Sequence, residues 1–252
     1  MERFEGKAAI VTGAASGIGQ ATVIRLAEEG CRVLAVDVNA EGLGHTVDAV
    51  EKRGTHGGRA VAHIGDVGDE SSVKETVRAA VAEFGKLDVL ANIAGIMRTA
   101  HSHECSTELW DLVIRVNLTG TFLMCREALP HLLETGGNIV NSASTSSTFG
   151  HPWMAAYASS KGGVLALTQS LAVEYCKRGV RVNAVAPGSV DTGITNGIEF
   201  PEGIDAKLIY RIMSPTGMGQ PEDVAGVVAM LASADGAHMT GSLVRIDGGT
   251  HA

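Results

Sequence analysis

The sequence predicts an α/β fold: a doubly wound, mostly parallel sheet of seven strands with helices on both faces, formed as a single domain over residues 1–252. Three observations predict it. Seven short, β-branched runs alternate with longer amphipathic stretches along the whole chain, the pattern of successive strand–helix–strand units. The runs are apolar without polar alternation, which suits strands covered on both sides. Hydrophobic residues make up 45% of the 252 and charged residues only 19%, enough for one large core, while 32 glycines supply tight turns between elements.

The strand-like runs are Ala8–Val11, Arg32–Val36, Ala60–Ile64, Val89–Ile93, Asn138–Asn141, Arg181–Ala186 and Ser242–Ile246. Helical patterns lie at about 17–29, 69–84, 107–133, 155–178 and 221–233. Segment 39–53 is a weaker helix, because Gly42 and Gly44 interrupt its start. No repeat, low-complexity tract or Pro-rich linker divides the chain. One segment breaks the rhythm: from about 193 to 216 a Gly-rich stretch is followed by a short helical pattern, Asp205–Met213. Such an excursion reads as a substrate lid or, alternatively, as a plain surface insertion.

The first strand runs into Thr12-Gly13-Ala14-Ala15-Ser16-Gly17-Ile18-Gly19, and a helix follows. Glycines there let the backbone turn sharply and approach a pyrophosphate, and the helix N-terminus offers free N–H groups and a positive dipole end. The spacing, G-x-x-x-G-x-G, differs from the usual G-x-G-x-x-G, but the strand–turn–helix context suits a Rossmann-type dinucleotide site. Asp37 ends the second strand 24 residues after Gly13. A carboxylate there can accept bonds from the adenosine ribose hydroxyls and repel a 2′-phosphate, and Ser16 brings no cation to pair with one, so NAD is expected over NADP. Asp37 can also simply begin a turn. Asp66-Val67, after the third strand, suits the adenine edge, although Asp66 can equally cap the next helix.

Other classes are disfavoured. The net charge is −8 and no Lys/Arg run exceeds two, so nucleic acid is not expected as a partner. No apolar stretch reaches the ~18 residues of a membrane span. Met1–Lys7 lacks the apolar region of a secretory signal, and four cysteines at 31, 105, 125 and 176 show no C-x-x-C pair. A reducing cytoplasm is the expected compartment. His101, His103, Glu104 and Cys105 have metal-ligand chemistry but neither the spacing nor distant partners, so no metal is expected.

Tyr157-Ala158-Ser159-Ser160-Lys161 lies in the first turns of a helical pattern. Residues four apart share a face, and a cation near a phenol lowers its pKa from ~10, which would make Tyr157 an acid/base near neutral pH. Taken together with Asn92-Ile93-Ala94-Gly95, Asn117, Ser144, Pro187-Gly188, Thr192 and Asp247-Gly248-Gly249, the chain resembles the short-chain dehydrogenase/reductase (SDR) family of the single-domain, classical type. The turn Thr12–Gly19 is similar to the family's T-G-x-x-x-G-x-G. Asn92–Gly95 is similar to its N-N-A-G, with Ile93 in place of the second Asn, which removes one amide expected to brace the sheet centre.

The resemblance implies a catalytic set of Asn117, Ser144, Tyr157 and Lys161. Tyr157 would exchange a proton with the substrate oxygen, Lys161 would lower the Tyr157 pKa and hold the nicotinamide ribose, and Ser144 would hydrogen-bond that oxygen. Asn117 would position a water linking Lys161 to solvent. It implies NAD contacts from Gly13, Ser16, Gly17, Ile18 and Gly19 at the pyrophosphate turn, and from Asp37, Asp66 and Val67 around the adenosine. Asn92, Ala94, Gly95, Tyr157 and Lys161 would lie near the nicotinamide ribose, with Pro187, Gly188, Val190 and Thr192 at the carboxamide. The reaction implied is hydride transfer between the nicotinamide and a secondary alcohol or ketone.

Met97, His151, Trp153, Met154, Ile194, Ile198, Phe200, Ile209 and Met213 are candidates for a fairly apolar substrate pocket, or for packing of the lid. A 3-oxoacyl-thioester reductase is an alternative, disfavoured because Leu133–Gly137 and Val173 stand where carrier-protein reductases tend to display basic residues. A catalytically silent NAD sensor or scaffold would not need Ser144, Tyr157 and Lys161. A sugar-nucleotide epimerase usually has a larger C-terminal domain than the 60 residues after Thr192. By family analogy a homotetramer built through 107–133 and 155–178 is expected.

Overall fold

The computed structural model describes residues 2–53 and 57–252; Met1 of the opening segment lies outside the described residues. β1 (Ala8–Thr12), β2 (Arg32–Asp37), β3 (Arg59–Ile64), β4 (Val89–Asn92), β5 (Asn138–Ser142), β6 (Arg181–Pro187) and β7 (Leu243–Ile246) form one sheet in the order β3-β2-β1-β4-β5-β6-β7. Every pairing is parallel, so the expected mostly parallel sheet is parallel throughout.

Successive strand residues point to opposite faces, and each face meets its own helical layer. Ala9, Val11, Val33, Ala35, Val89 and Ala91 pack with α1 (Gly17–Glu28), α2 (Ala40–Arg53) and α9 (Pro221–Ala232) through Val23, Leu26, Leu43 and Val228. The alternate set, Ala8, Ile10, Leu34, Val36, Leu90 and Ile139, packs with α3 (Glu70–Phe84), α5 (Gly120–Thr135) and α6 (Ala155–Tyr175) through Val73, Val77, Met124, Leu132 and Ala172. This two-sided burial is the physical reason the central strands carry no polar alternation. β3, on the sheet edge, is only partly covered.

Two elements differ from their sequence-based description. The stretch 107–133 is α4 (Thr107–Ile114), a π-helical turn (Arg115–Thr119) and α5, rather than one regular helix. Helical periodicity survives an inserted π-turn, so the pattern alone does not betray it. In α2 one of the two glycines, Gly42, is an asset. A Cβ on Gly42 would come within 2.7 Å of the Ala15 side chain, so its absence lets α2 lie against the glycine-rich turn. Thr46 of α2 then donates to the Ala14 carbonyl at 2.8 Å.

The segment 193–216 carries α7 (Gly193–Asn196) and α8 (Ala206–Tyr210), with Asp205 accepting from the Lys207 N–H to start α8. It is tied to the loop after β4: Thr99 donates to the Glu199 carbonyl, and His101 Nε2 lies 2.9 Å from the Glu202 carbonyl. Trp153 meets Phe200 edge to face at 6.0 Å. No helix among the described residues is long and apolar enough to cross a membrane.

Candidate active site

The connections from β1 and β4 leave in opposite directions, and at such a switch point a crevice opens beyond the C-terminal strand ends. Here it is a cleft of about 580 Å3, bordered by the ends of β1, β2, β4, β5 and β6. Of the expected residues, Gly13, Ser16, Gly17, Ile18, Gly19, Asp37, Asp66, Val67, Ala94 and Gly95 line it, as do Ser144, Tyr157, Lys161, Pro187, Gly188, Val190 and Thr192.

At one end the turn 12–19 is built for close approach. Gly13 has φ +70°, and a Cβ there would sit 2.8 Å from the Ala94 backbone. A Cβ on Gly19 would fall 1.9 Å from the Gly13 carbonyl oxygen. The N-cap residue Ser16 makes no side-chain bond to the first N–H groups of α1, which leaves an open, electropositive helix end at the cleft. These features fit a pyrophosphate. Gly19→Ala is expected to cost about 1–3 kcal/mol through overpacking. Its Tm should fall by roughly 3–10 °C, and it should bind dinucleotide more weakly than wild type. Unchanged melting in a thermal scan would contradict the close approach.

Asp37 closes that end. Its carboxylate accepts from the Ala15 N–H at 3.1 Å and the Asn39 N–H at 3.0 Å, so it is fixed in place beside the turn. Asp66 lines the cleft and accepts from the Gly68 N–H at 2.7 Å. It does not cap α3: Asp69 does, accepting from the Ser72 N–H at 2.8 Å.

At the other end, β5 delivers Ser144 and the start of α6 delivers Tyr157 and Lys161. Burial raises the Tyr157 phenol above its ordinary range, and a hydrogen bond with the Ser144 side chain partly offsets this. The expected lowering of that phenol by Lys161 is not what the geometry gives. The Lys161 ammonium donates to the Ser142 carbonyl at 2.6 Å and lies 5.9 Å from the Tyr157 ring centre. Its long chain reaches past the ring to the end of β5, and burial pushes its own pKa down to about 8. A side chain on Gly95 would fill the gap beside this group, 3.3 Å from both Lys161 Nζ and Asn117 Oδ1.

Asn117 and Asn92 sit behind the cleft wall rather than lining it. Asn117, fully buried in the π-turn, accepts from the Ile96 N–H at 2.8 Å and donates to the Ile96 carbonyl at 2.9 Å and to Ser160 at 3.0 Å. It thereby holds the loop after Gly95 against α6. Asn92 is likewise buried, donating to Asn141 Oδ1 at 2.9 Å and to Cys125 at 3.4 Å, while Asn141 donates to Thr168. This chain of amides braces the sheet beneath α5. At Ile93, where an amide was expected, bracing comes from the main chain: the Ile93 and Ala94 N–H groups both donate to the Thr12 hydroxyl at 3.1 Å.

Among the pocket candidates, Met97, His151, Met154, Ile194 and Ile198 line the cleft, whereas Trp153, Phe200, Ile209 and Met213 do not. Trp153 and Phe200 pack on each other instead. Ile96, Leu112, Arg115, Thr145 and Ile212 line it unforeseen, because their placement depends on how loops and the π-turn return to the cleft. No group of three or more His, Cys, Asp or Glu able to hold a metal occurs among the described residues. His101 and Glu104 are instead used in loop contacts, and His103 faces Glu104 in the open.

Comparison with known proteins accounts for this geometry. Residues 13–251 match the family model described as enoyl-(acyl carrier protein) reductase. A 3-oxoacyl-(acyl-carrier-protein) reductase FabG of Thermotoga maritima is 40% identical over 249 residues, 98% of each chain. A D-threitol dehydrogenase of Mycolicibacterium smegmatis is 41% identical over 250 residues, 98% of this chain and 94% of that one. Among solved structures, levodione reductase superposes with a TM-score of 0.90 at 33% identity, over 98% of both chains. A dehydrogenase/reductase of Sinorhizobium meliloti gives 0.88 at 38% identity, over 98% of this chain and 96% of the other. The chain belongs to the classical short-chain dehydrogenase/reductase family, oxidoreductases that bind a nicotinamide cofactor and act on alcohol or ketone groups.

Proposed function

We propose that this protein is an NAD-dependent dehydrogenase and ketoreductase that interconverts a small secondary alcohol and its ketone. The observation that carries the reading is one cleft with Ser144, Tyr157 and Lys161 at one end and a glycine turn closed by Asp37 at the other. When bound, NAD accepts or returns the hydride; everything else falls to this chain. The glycine turn and the open end of α1 hold the pyrophosphate, and Asp37 accepts the ribose hydroxyls. Pro187, Gly188, Val190 and Thr192 border the nicotinamide end. Ser144 fixes the substrate oxygen, and Tyr157 takes its proton in oxidation or supplies one in reduction. Lys161 positions the ribose while bonded to Ser142. Asn117 supports the set through Ile96 and Ser160, and residues 193–216 cover the substrate.

The test is a panel of secondary alcohols, polyols and ketones assayed with NAD and with NADP, following reduced nicotinamide. Turnover with NAD and little with NADP is the expected result. Absence of turnover on every member, with tight dinucleotide binding, would favour a silent binding protein. A 3-oxoacyl-thioester reductase is the second reading, favoured by the 40% identity to a protein of that name. Against it, Val173 is 78% exposed and apolar on α6, where a carrier protein would call for a cation. Faster reduction of an acyl-carrier thioester than of any free ketone would decide for it.

The raised Tyr157 phenol sets the pH behaviour. Oxidation needs the phenolate, whose fraction grows about tenfold per pH unit below the pKa, whereas reduction needs the phenol, which is already the dominant form at neutral pH. Alcohol kcat/KM should therefore climb from pH 6 to 9 while ketone kcat/KM stays level and then declines. Parallel profiles for the two directions would remove Tyr157 from the proton path.

A further inference from the structure

The cleft that holds Ser144 and Tyr157 also holds an imidazole that the hydride chemistry does not use. His151 lines the same cleft, on the loop between β5 and α6. Its Nε2 faces the hydroxyl of Thr145, the residue next to Ser144, at 3.4 Å. Thr145 is itself buried and lines the cleft. No described residue bonds the other ring nitrogen, so it is open to a ligand. The ring is held from behind: His251 lies 5.9 Å from it, stacks on Phe149 at 3.8 Å, and is anchored by Arg245 donating to its carbonyl at 2.7 Å.

We propose that His151 reads a second oxygen of the substrate, so that the preferred substrate is a diol or hydroxyketone rather than a simple secondary alcohol. The proposal rests on the dehydrogenase reading above and adds the substrate class. Ser144 and Thr145 are consecutive, so the group that engages the reacting oxygen and the group that seats His151 lie side by side along the end of β5. A carbon bearing a second oxygen close to the reacting carbinol therefore finds a partner of its own. The partner's character selects a hydroxyl or carbonyl over a carboxylate. Burial, with the neighbouring His251, pushes the His151 pKa down to about 4, so the ring is uncharged near neutral pH. A neutral imidazole offers one N–H and one lone pair, which suits an uncharged oxygen.

The experiment compares oxidation of 2,3-butanediol, as meso and racemic forms, with that of 2-butanol. In each, the carbinol carbon gives its hydride to NAD and the hydroxyl gives its proton to Tyr157, leaving a ketone. Wild type should favour the diol, and His151→Phe, which keeps a ring and loses both nitrogens, should cut the diol-to-alcohol ratio of kcat/KM on the order of 10- to 30-fold. His151→Asn, whose amide can stand near the free ring nitrogen, should recover part of that ratio. A ratio unmoved by His151→Phe, with 2-butanol still oxidised, overturns the role of His151 alone. A wild-type enzyme that binds NAD yet oxidises neither compound overturns the secondary-alcohol reading and this proposal with it.

Discussion

Tyr157→Phe will lower kcat by about 10^3-fold or more, within the range general acid–base groups contribute, while the affinity for NAD changes by less than about twofold. The two halves of that expectation have separate structural sources. The substitution removes one hydroxyl, and the only side chain it bonds among the described residues is Ser144. The ring stays, and with it the packing at the start of α6. The glycine turn, the open end of α1 and Asp37 lie at the other end of the cleft and are untouched. Binding is read by fluorescence titration and chemistry by single turnover, so a loss of affinity cannot pass for a loss of catalysis. Ser144→Ala should be milder in kcat. It should also raise the Tyr157 phenol further, since the bond that offsets burial is gone, and shift the alkaline climb of the oxidation rate to higher pH at unchanged slope. Tyr157→Phe retaining more than a tenth of wild-type turnover would assign the proton transfer to another group.

The sequence made the sheet legible because two-sided burial leaves a direct mark: Ala8–Val11 and Val33–Val36 are apolar at every position, and both faces are covered. The glycine turn was legible for a related reason. Only glycine fits where Gly13 meets Ala94 and Gly19 meets the Gly13 carbonyl, so steric demand writes itself into residue type. Side-chain direction leaves no such mark. Asn92 and Asn117 carry the polar chemistry of site residues, yet one serves the sheet and the other a loop. Lys161 shares a helical face with Tyr157, but spacing does not say that its ammonium reaches Ser142 rather than the phenol. The π-turn was hidden for the same reason, since one extra residue per turn barely disturbs periodicity while it rotates Asn117 inward. The pairing of His151 with Thr145 and His251 needs a contact between residues 100 positions apart, and no local pattern encodes that.

Charge at position 37 should decide which dinucleotide the enzyme accepts, and changing it is expected to produce the second large effect. Wild type should prefer NAD over NADP by about 100-fold or more in kcat/KM, because a 2′-phosphate of charge near −2 would meet a carboxylate that cannot turn away. Asp37 is held by two main-chain N–H groups, from Ala15 and Asn39, so its position is set by the backbone rather than by a choice of rotamer. Asp37→Asn keeps one acceptor for those groups and removes the charge. It should lower kcat/KM for NAD by roughly 10-fold, the scale of one charge-assisted hydrogen bond, and gain on NADP by a similar factor. The neighbouring Val38 is 64% exposed and also borders the cleft. An arginine there adds the cation that position 16 does not supply, so Asp37→Asn with Val38→Arg should invert the preference. If the double variant gains on NADP while wild type already prefers NADP, the carboxylate does not face the ribose, and the adenosine lies elsewhere along the cleft. If neither variant moves the ratio while Tyr157→Phe still abolishes turnover, selectivity resides in the groups around Asp66 and Val67, and the charge at 37 serves only to fix the turn through Ala15.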